Sequence, residues 1–462
     1  MRVLLLSANR ERSPYPVFPI GLAYLAGPLA AAGHTLSVLD ICFCDDPLAA
    51  VAESMDSFRP ETVVLSLRNI DNVTFPGSRP YLAGVREVVD RCRAKARVIV
   101  GGSGFSLMPV EVLAYLDADY GVVGEGETVL PRLLAALTDG IDPAALPGVL
   151  SRGKETFLPP QPVPAIGTPL RELFDLARYH REGGMANLQT KRGCPFACVY
   201  CTYPLLEGKQ VRLRPIPEII AEIRELVANG VSYLYFVDDI FNYPIAFSEA
   251  LCRAMTEARL AVNWSAFINP DFLPPHLLEA MLAAGCDALE FGTDSGSPAM
   301  LQRLGKSFDV DSIRAASRLC REAGVDFAHY ILFGGPGENS VTVRESFRLM
   351  DELEPTAVIA MTGIRIFPGT AIHRQALAEG QLAPADSLLE PVFYLSESAR
   401  QEICALVTQE ALTRKNWVVP GLEINISDAM LAALRHFPVR GPLWKLVKRL
   451  GRTRVNPFDA RT

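Results

Sequence analysis

The sequence predicts an α/β protein of two parallel-sheet domains: an open, doubly wound, flavodoxin-like sheet followed by a partial (βα)6 barrel, with a helical C-terminal extension. Three observations predict it. Strand and helix periodicities alternate at short spacing through residues 1–145, which builds a parallel sheet covered on both faces. A second alternation, of six β–α units, fills residues 186–385. Between them, Pro147, Pro159, Pro160, Pro162, Pro164 and Pro169 punctuate a stretch without sustained period, residues 146–185, which reads as an extended linker with a short helix near 170–176.

In the first domain, 3–7 is an apolar strand and 20–32 a small-residue helix ending at Gly33. Strands follow at 34–39, 62–67, 98–100 and 120–123, with helices at 47–58, 81–95 and 109–116. Open sheets of this kind bind ligands at the carboxyl ends of their strands, at the switch point. The loops there are 13–21, 66–72, 101–106 and 124–127, rich in Gly, Ser, Pro and Asn. Glycine lets the backbone come close to a ligand. Any single glycine here is better explained as a tight turn.

In the second domain the helices are 217–228, 245–257, 275–284, 310–323 and 340–353. The strands are 233–237, 262–267, 288–292, 327–333 and 357–366, and a partial barrel carries its site at their carboxyl ends. Asp239, Ser295 and Asn339 each stand where a strand-to-helix turn wants an N-cap. The tail, 386–462, continues as helical patterns at 396–413 and 427–435. It ends in a basic amphipathic stretch, 444–454, suited to docking on the barrel or to touching a membrane surface.

The chain has 462 residues, 49% hydrophobic and 21% charged, enough to bury ordinary cores. A formal net charge of −7 argues against a general nucleic-acid binder. No apolar run reaches the roughly 18 residues of a membrane span, and the first residues read as a buried strand, so a cytoplasmic protein is expected. Ten cysteines in a reducing compartment point to metal or catalysis.

Three of those cysteines sit together. Lys191–Tyr203 (KRGCPFACVYCTY) places Cys194, Cys198 and Cys201 in a C-x3-C-x2-C spacing beside Gly193 and Pro195. Three thiolates so close can hold three irons of a cubane and leave the fourth open to a small molecule. A structural zinc site wants a fourth ligand, and no second C-x2-C or H-x3-H pair follows at a suitable distance.

This motif, with Tyr200 just before the last cysteine, resembles that of the radical S-adenosylmethionine (SAM) superfamily. There the open iron binds the amino and carboxylate groups of SAM, and an electron from the cluster cleaves it to methionine and a 5′-deoxyadenosyl radical. Later segments are similar to the same family: VDDIFN after the second barrel strand, EFGTDSGS at the fourth with Leu304, Gly305 and Lys306 beyond it, FGGPGEN at the fifth and FPGT at the sixth. The resemblance implies SAM contacts from Phe196, Tyr200, Asp238 or Asp239 (to the methionyl ammonium), Glu290 and Ser295 (to ribose and the methionyl end), Gly335 and Pro336. Asn269 stands where relatives often carry arginine, which puts a SAM carboxylate contact there in question.

In the first domain, PYPVFPIGLAYLA, SLRNIDN, GGSGFS and VVGEGE resemble the cobalamin-binding domain that precedes many radical SAM proteins. The contacts implied are Pro19, Gly21, Ser66, Arg68, Asn69, Gly101, Gly102, Ser103, Gly124, Glu125 and Gly126. No D-x-H-x-x-G motif occurs, so the implied mode is base-off without a histidine ligand, with Arg68 and Asn69 toward the lower face of cobalt. Together the resemblances imply a cobalamin-dependent, class B radical SAM enzyme. It would use a [4Fe–4S] cluster, SAM and cobalamin, and an external electron donor of flavodoxin or ferredoxin type. The expected reaction is methylation of an unactivated carbon in a natural-product, peptide or lipid substrate. The alternatives are a cobalamin-assisted cyclase or oxidase without methyl transfer, and a non-catalytic corrinoid or Fe–S protein. His329 and Tyr330, on the fifth barrel strand, are candidates for substrate contact or for core.

Overall fold

The structure, a computed structural model, describes residues 1–398, 400–425, 430 and 440–447. Its first sheet has six strands in the order β2-β1-β3-β4-β5-β6. These are β1 (Arg2–Ser7), β2 (Thr35–Asp40), β3 (Thr62–Ser66), β4 (Arg97–Gly101), β5 (Tyr120–Val122) and β6 (Val149–Ser151). The first five are parallel and β6 pairs antiparallel to β5. β6 therefore falls inside the stretch read as linker, too short to carry a periodicity of its own. The helix expected near 170–176 lies instead at Leu176–Gly183, started by the Asp175 side chain accepting from Arg178 N. Apolar runs such as Val3–Leu6 are fully buried because helices cover both faces. In register, Ser7 lies beside Ser66 and Ser66 beside Gly101, so three neighbouring strands end at one level.

The second sheet is the partial barrel, seven parallel strands in the order β17-β14-β13-β12-β11-β10-β7. In chain order they are β7 (Ala186–Leu188), β10 (Tyr233–Phe236), β11 (Asn263–Ile268), β12 (Cys286–Asp294), β13 (Asp326–Phe333), β14 (Ala357–Thr362) and β17 (Trp417–Val418). Two small ribbons complete the set: β8 (Lys191–Arg192) with β9 (Arg212–Leu213), and β15 (Ile364–Arg365) with β16 (Phe393–Tyr394). β17 comes from the tail that the sequence reads as helical. The helix of that region is shorter than expected, Ile403–Leu412. The helix expected at 427–435 and most of the basic stretch beyond 447 lie outside the described residues. No described helix is long and apolar enough to cross a membrane.

The two sheets share one core. Leu4, Leu65 and Phe105 belong to the same buried cluster as Met300, Ile364, Ile366 and Tyr394. A buried ion pair, Arg365 Nε to Asp71 at 2.9 Å, crosses the same boundary. The carboxyl ends of both sheets consequently face each other across a single space.

Candidate functional site: one cavity between two sheets

That space is a cavity of about 810 Å³. Its first wall is the set of strand-end loops of the front sheet. Pro19, Gly21, Ser66, Arg68, Gly101, Gly102, Ser103, Gly124, Glu125 and Gly126 line it, as does Tyr15; Asn69 does not. Gly102 has φ +102°, and a Cβ there would lie 2.6 Å from the Leu67 carbonyl oxygen. Only glycine fits that turn. Ser103 Oγ donates to the Arg68 carbonyl at 2.7 Å, and Ser106 Oγ accepts from Gly124 N at 2.9 Å, so the loops brace one another. Asn9 Nδ2, also on this wall, is buried without a partner. Among the described residues no histidine lines the cavity.

The second wall is the cysteine loop and the barrel strand ends. Cys194, Cys198 and Cys201 all line the cavity with Phe196, Tyr200, Asp238 and Asp239. The loop is held from behind: Gly193 N donates to Glu207 Oε2 at 2.9 Å, Cys194 N to Gly208 O at 3.1 Å, and Val199 N to Leu304 O at 3.0 Å. Gly193 has φ +94°, and a Cβ there would sit 2.2 Å from the Gln210 carbonyl oxygen. Burial pushes the Cys194 thiol up to about 11 and Cys201 up to about 12, so without metal the three stay protonated, and metal binding must displace those protons. Among the described residues no three His, Cys, Asp or Glu groups close on a point for a single metal ion. A cubane, with one iron per thiolate, sets its cysteines farther apart than a single ion does.

The two aspartates after β10 differ sharply. Asp238 is saturated: it accepts from Thr190 N at 2.6 Å, Thr190 Oγ1 at 2.5 Å and Lys191 N at 3.2 Å, with Lys191 Nζ 3.7 Å away. Asp239 Oδ2 is buried with no partner. Burial, then the Glu207 and Asp238 carboxylates, push Asp239 up to about 8. A buried carboxylate oxygen on a cavity wall, short of a donor, suits a cation.

Four of the expected SAM contacts do not reach the cavity. Glu290 is 1% exposed and turned to the barrel interior, accepting from Tyr235 OH at 2.9 Å and Trp444 Nε1 at 2.8 Å. Ser295 Oγ lies 3.1 Å from Ser346 Oγ in the core. Gly335 and Pro336 form a turn whose Gly335 N is bound by Glu338 Oε2 at 3.1 Å. The residues of this segment that do line the cavity are Gly292 and Asp294, the latter four positions after Glu290 and past a register shift against β13. Asp294 accepts from Tyr200 OH at 2.5 Å and Lys306 Nζ at 2.8 Å. The missed signal was position: four residues along a strand is about 13 Å, and the strand end is where a barrel keeps its chemistry.

Glu125 lines the cavity but is already engaged, by Arg212 and Arg192 of the ribbon around the cysteine loop. Arg192 and Tyr15, inside the cysteine stretch and PYPVFPIGLAYLA, and Glu207 and Asn9, outside any quoted motif, line the site too. Asn269 lines the cavity, its Nδ2 donating to Ser307 Oγ at 3.0 Å and its Oδ1 accepting from Asp271 N at 3.0 Å. His329 is core, between Thr293 Oγ1 at 2.6 Å and Ser317 Oγ at 3.0 Å, and burial lowers it to about 3; Tyr330 faces the cavity.

Comparison with known proteins agrees with this two-walled arrangement. Residues 188–350 match the Radical SAM superfamily and residues 7–134 the B12 binding domain. The chain is 28% identical over 450 residues to a tryptophan 2-C-methyltransferase of Streptomyces laurentii, covering 82% of this chain and 74% of that protein. A hopanoid C-3 methylase of Methylococcus capsulatus is 28% identical over 239 residues, 48% of this chain and 42% of the relative. Among solved structures, the radical S-adenosylmethionine methyltransferase TsrM from Kitasatospora setae, with cobalamin and a [4Fe–4S] cluster bound, superposes with a TM-score of 0.86 at 25% identity. That match covers 97% of this chain and 98% of the other. With both domains matched and both facing one cavity, the chain belongs to the cobalamin-binding radical S-adenosylmethionine enzymes, in their methyltransferase-like group.

Proposed function

We propose that this enzyme transfers a methyl group to a carbon atom of a small-molecule substrate held between its two sheets. The observation that carries the reading is the single cavity onto which the three cysteines and the front sheet's strand-end loops both open. Cys194, Cys198 and Cys201 would hold a [4Fe–4S] cluster, since three thiols on one cavity wall suit a cubane with one iron free. Asp239 would hold the SAM ammonium, for its Oδ2 is the carboxylate oxygen short of a donor. Asp238 serves instead to fix Thr190 and Lys191 ahead of the cysteine loop. Asp294, Tyr200 and Lys306 would complete the SAM site from the far side of that loop.

The corrin would rest on the level platform of Ser7, Ser66 and Gly101, with Arg68 and Asn9 offering donors toward it. Once bound, these groups supply an electron and a methyl group, chemistry the side chains lack. The chain's own work is to position and to exclude water. The Arg192–Glu127 and Arg212–Glu125 pairs tie the cysteine ribbon to the front sheet and so fix the distance between the two walls. The electron would come from an external flavodoxin- or ferredoxin-type donor, for which the exposed Leu205 beside the cysteine loop gives an approach. A reducing cytoplasm suits so labile a centre.

The test is anaerobic reconstitution with iron, sulfide and hydroxocobalamin, followed by SAM labelled in its methyl group and candidate substrates. The expected result is about four irons and one tightly held corrinoid per chain, with S-adenosylhomocysteine released and the label on product carbon. Release of 5′-deoxyadenosine without methyl transfer would favour a cyclase or oxidase. A cluster without corrinoid would overturn the methyltransferase reading.

A further inference from the structure

Residues 304–306 are fastened along the cysteine loop. Val199 N donates to Leu304 O at 3.0 Å, and a Cβ on Gly305 would lie 2.6 Å from the Ala197 carbonyl oxygen. Gly305 has φ +70°, a turn that glycine makes without strain, and Lys306 beyond it lines the cavity. The Lys306 side chain is only 7% exposed, and its Nζ lies 2.8 Å from Asp294 Oδ2. The same Nζ is 5.2 Å from the centre of the Phe308 ring and 6.0 Å from that of Tyr200. Asp294 takes the left-handed φ of +62°, and its Oδ2 also accepts from Tyr200 OH at 2.5 Å.

A buried ammonium is thus pinned beside the cysteines by one carboxylate and two aromatic rings. Its charge reaches the sulfurs. Burial raises the Cys198 and Cys194 thiols, and Lys306 opposes that rise at both. At Cys198 the ammonium outweighs the contrary effect of Asp294, so the pair turns its positive end toward that sulfur. A cubane gains negative charge when it takes up an electron, and a cation held against its thiolates favours the reduced form.

We propose that the Lys306–Asp294 pair sets the electron affinity of the cluster: Lys306 raises its reduction potential through Cys198, and Asp294 holds the ammonium in place and moderates its charge. Both are positioning residues in this role, since they act on the cluster through its ligand. The proposal rests on the reading of Cys194, Cys198 and Cys201 as cluster ligands and is independent of the reaction that follows.

The test uses the full chain, reconstituted anaerobically with iron and sulfide and kept free of SAM. Dithionite supplies one electron per cluster in the presence of redox mediators, and electron paramagnetic resonance follows the reduced state. Lys306→Met removes the charge and keeps the stem. Its one-electron reduction should become at least tenfold less favourable, a fall in potential of about 59 mV. Lys306→Arg keeps the charge and should stay within about threefold of the parent. Asp294→Asn leaves the ammonium unmoderated, held by the cluster's own negative charge, and should move the potential up. Should Lys306→Met take up no iron, Asp294→Asn decides alone. A Lys306→Met equilibrium within about twofold of the parent overturns the proposal. So does an Asp294→Asn potential that fails to rise, or a shift of all three variants in one direction, which would report a loosened loop. A parent chain that takes up far fewer than about four irons overturns the ligand reading itself, and this proposal with it.

Discussion

Arg212 grips Glu125 with both terminal nitrogens, Nη1 to Oε2 at 2.8 Å and Nη2 to Oε1 at 2.7 Å, and so joins the ribbon behind the cysteine loop to the last glycine-rich loop of the front sheet. Arg192, on the other strand of that ribbon, reaches Glu125 at 3.2 Å and Glu127 at 2.7 Å. Burial alone would raise the Glu125 carboxyl, but the Arg212 bonds and the Arg192 charge hold it below its ordinary value. The paired geometry is specific to arginine. Glu125→Ala leaves Arg212 without its carboxylate while Arg192 keeps Glu127, and should cost about 3 kcal/mol in urea-induced unfolding. Arg212→Lys should cost less, since one bond survives. Equal loss from the two variants would contradict the bidentate clamp.

The two aspartates after β10 should separate binding from stability. Asp239→Asn removes a buried carboxylate that has no donor, so the fold should hold or gain stability while SAM binding by equilibrium dialysis falls at least about tenfold. Asp238→Asn should do the reverse, stripping acceptors from Thr190 and Lys191 at a cost of about 2–4 kcal/mol. If Asp239→Asn binds SAM as the parent does, another group holds the ammonium.

Gly193 precedes the first cysteine in a left-handed turn that has no room for a side chain. Gly193→Ala must move Gln210 or abandon the turn, a cost of about 1–3 kcal/mol. Bound iron after reconstitution should fall well below that of the parent, while corrinoid binding on the opposite wall persists. Full iron content in this variant would show that the loop tolerates rearrangement.

How far the sequence reached is clearest along β12 and the loop after β10. Strand and helix alternation placed both sheets, because covered parallel strands write themselves as apolar runs between amphipathic helices. The cysteine spacing marked its loop, because a cluster demands ligands close in sequence. Which acidic residue faces the cavity is another matter. Asp238 and Asp239 are adjacent and alike, and only the surroundings of Thr190, some fifty positions away in sequence, decide that the first is consumed. Glu290 and Asp294 lie on one strand with a register shift between them and differ in depth, which periodicity does not encode. The contact between Arg212 and Glu125 joins two domains, and no local pattern announces it. β17 escaped for a plainer reason: two residues carry no period.

The ion pair between Arg365 and Asp71 makes the same point energetically. It is 3% and 1% exposed at its side chains, and Arg365 also donates to the carbonyls of Ile366 at 2.7 Å and Leu388 at 2.8 Å. Asp71→Asn should destabilise the chain by about 3 kcal/mol by leaving the guanidinium short of its anion. Because the pair spans both domains, the loss should appear in the unfolding of the two together. Asp71→Asn and Arg365→Met combined should cost less than the sum of the single changes, and strict additivity would rule the coupling out.

Glu338 gives the fold a titration near neutrality. Its Oε2 accepts from Gly334 N and Gly335 N, while Oε1 is buried with no partner. Burial raises the carboxyl and the two backbone bonds only partly oppose it, leaving it at about 7 against an ordinary 4.5. A carboxyl raised on folding favours the native state most when protonated. Its contribution is complete below the unfolded value of 4.5 and is lost as pH climbs through about 7. The gap corresponds to about 3 kcal/mol. Glu338→Gln keeps an oxygen for the two glycine N–H groups and does not titrate. Between pH 4.5 and 7 the parent should therefore lose about 3 kcal/mol relative to this variant, with a constant difference at higher pH. Urea midpoints measured across that range check it, and parallel curves for the two proteins would mean that Glu338 is ionised throughout.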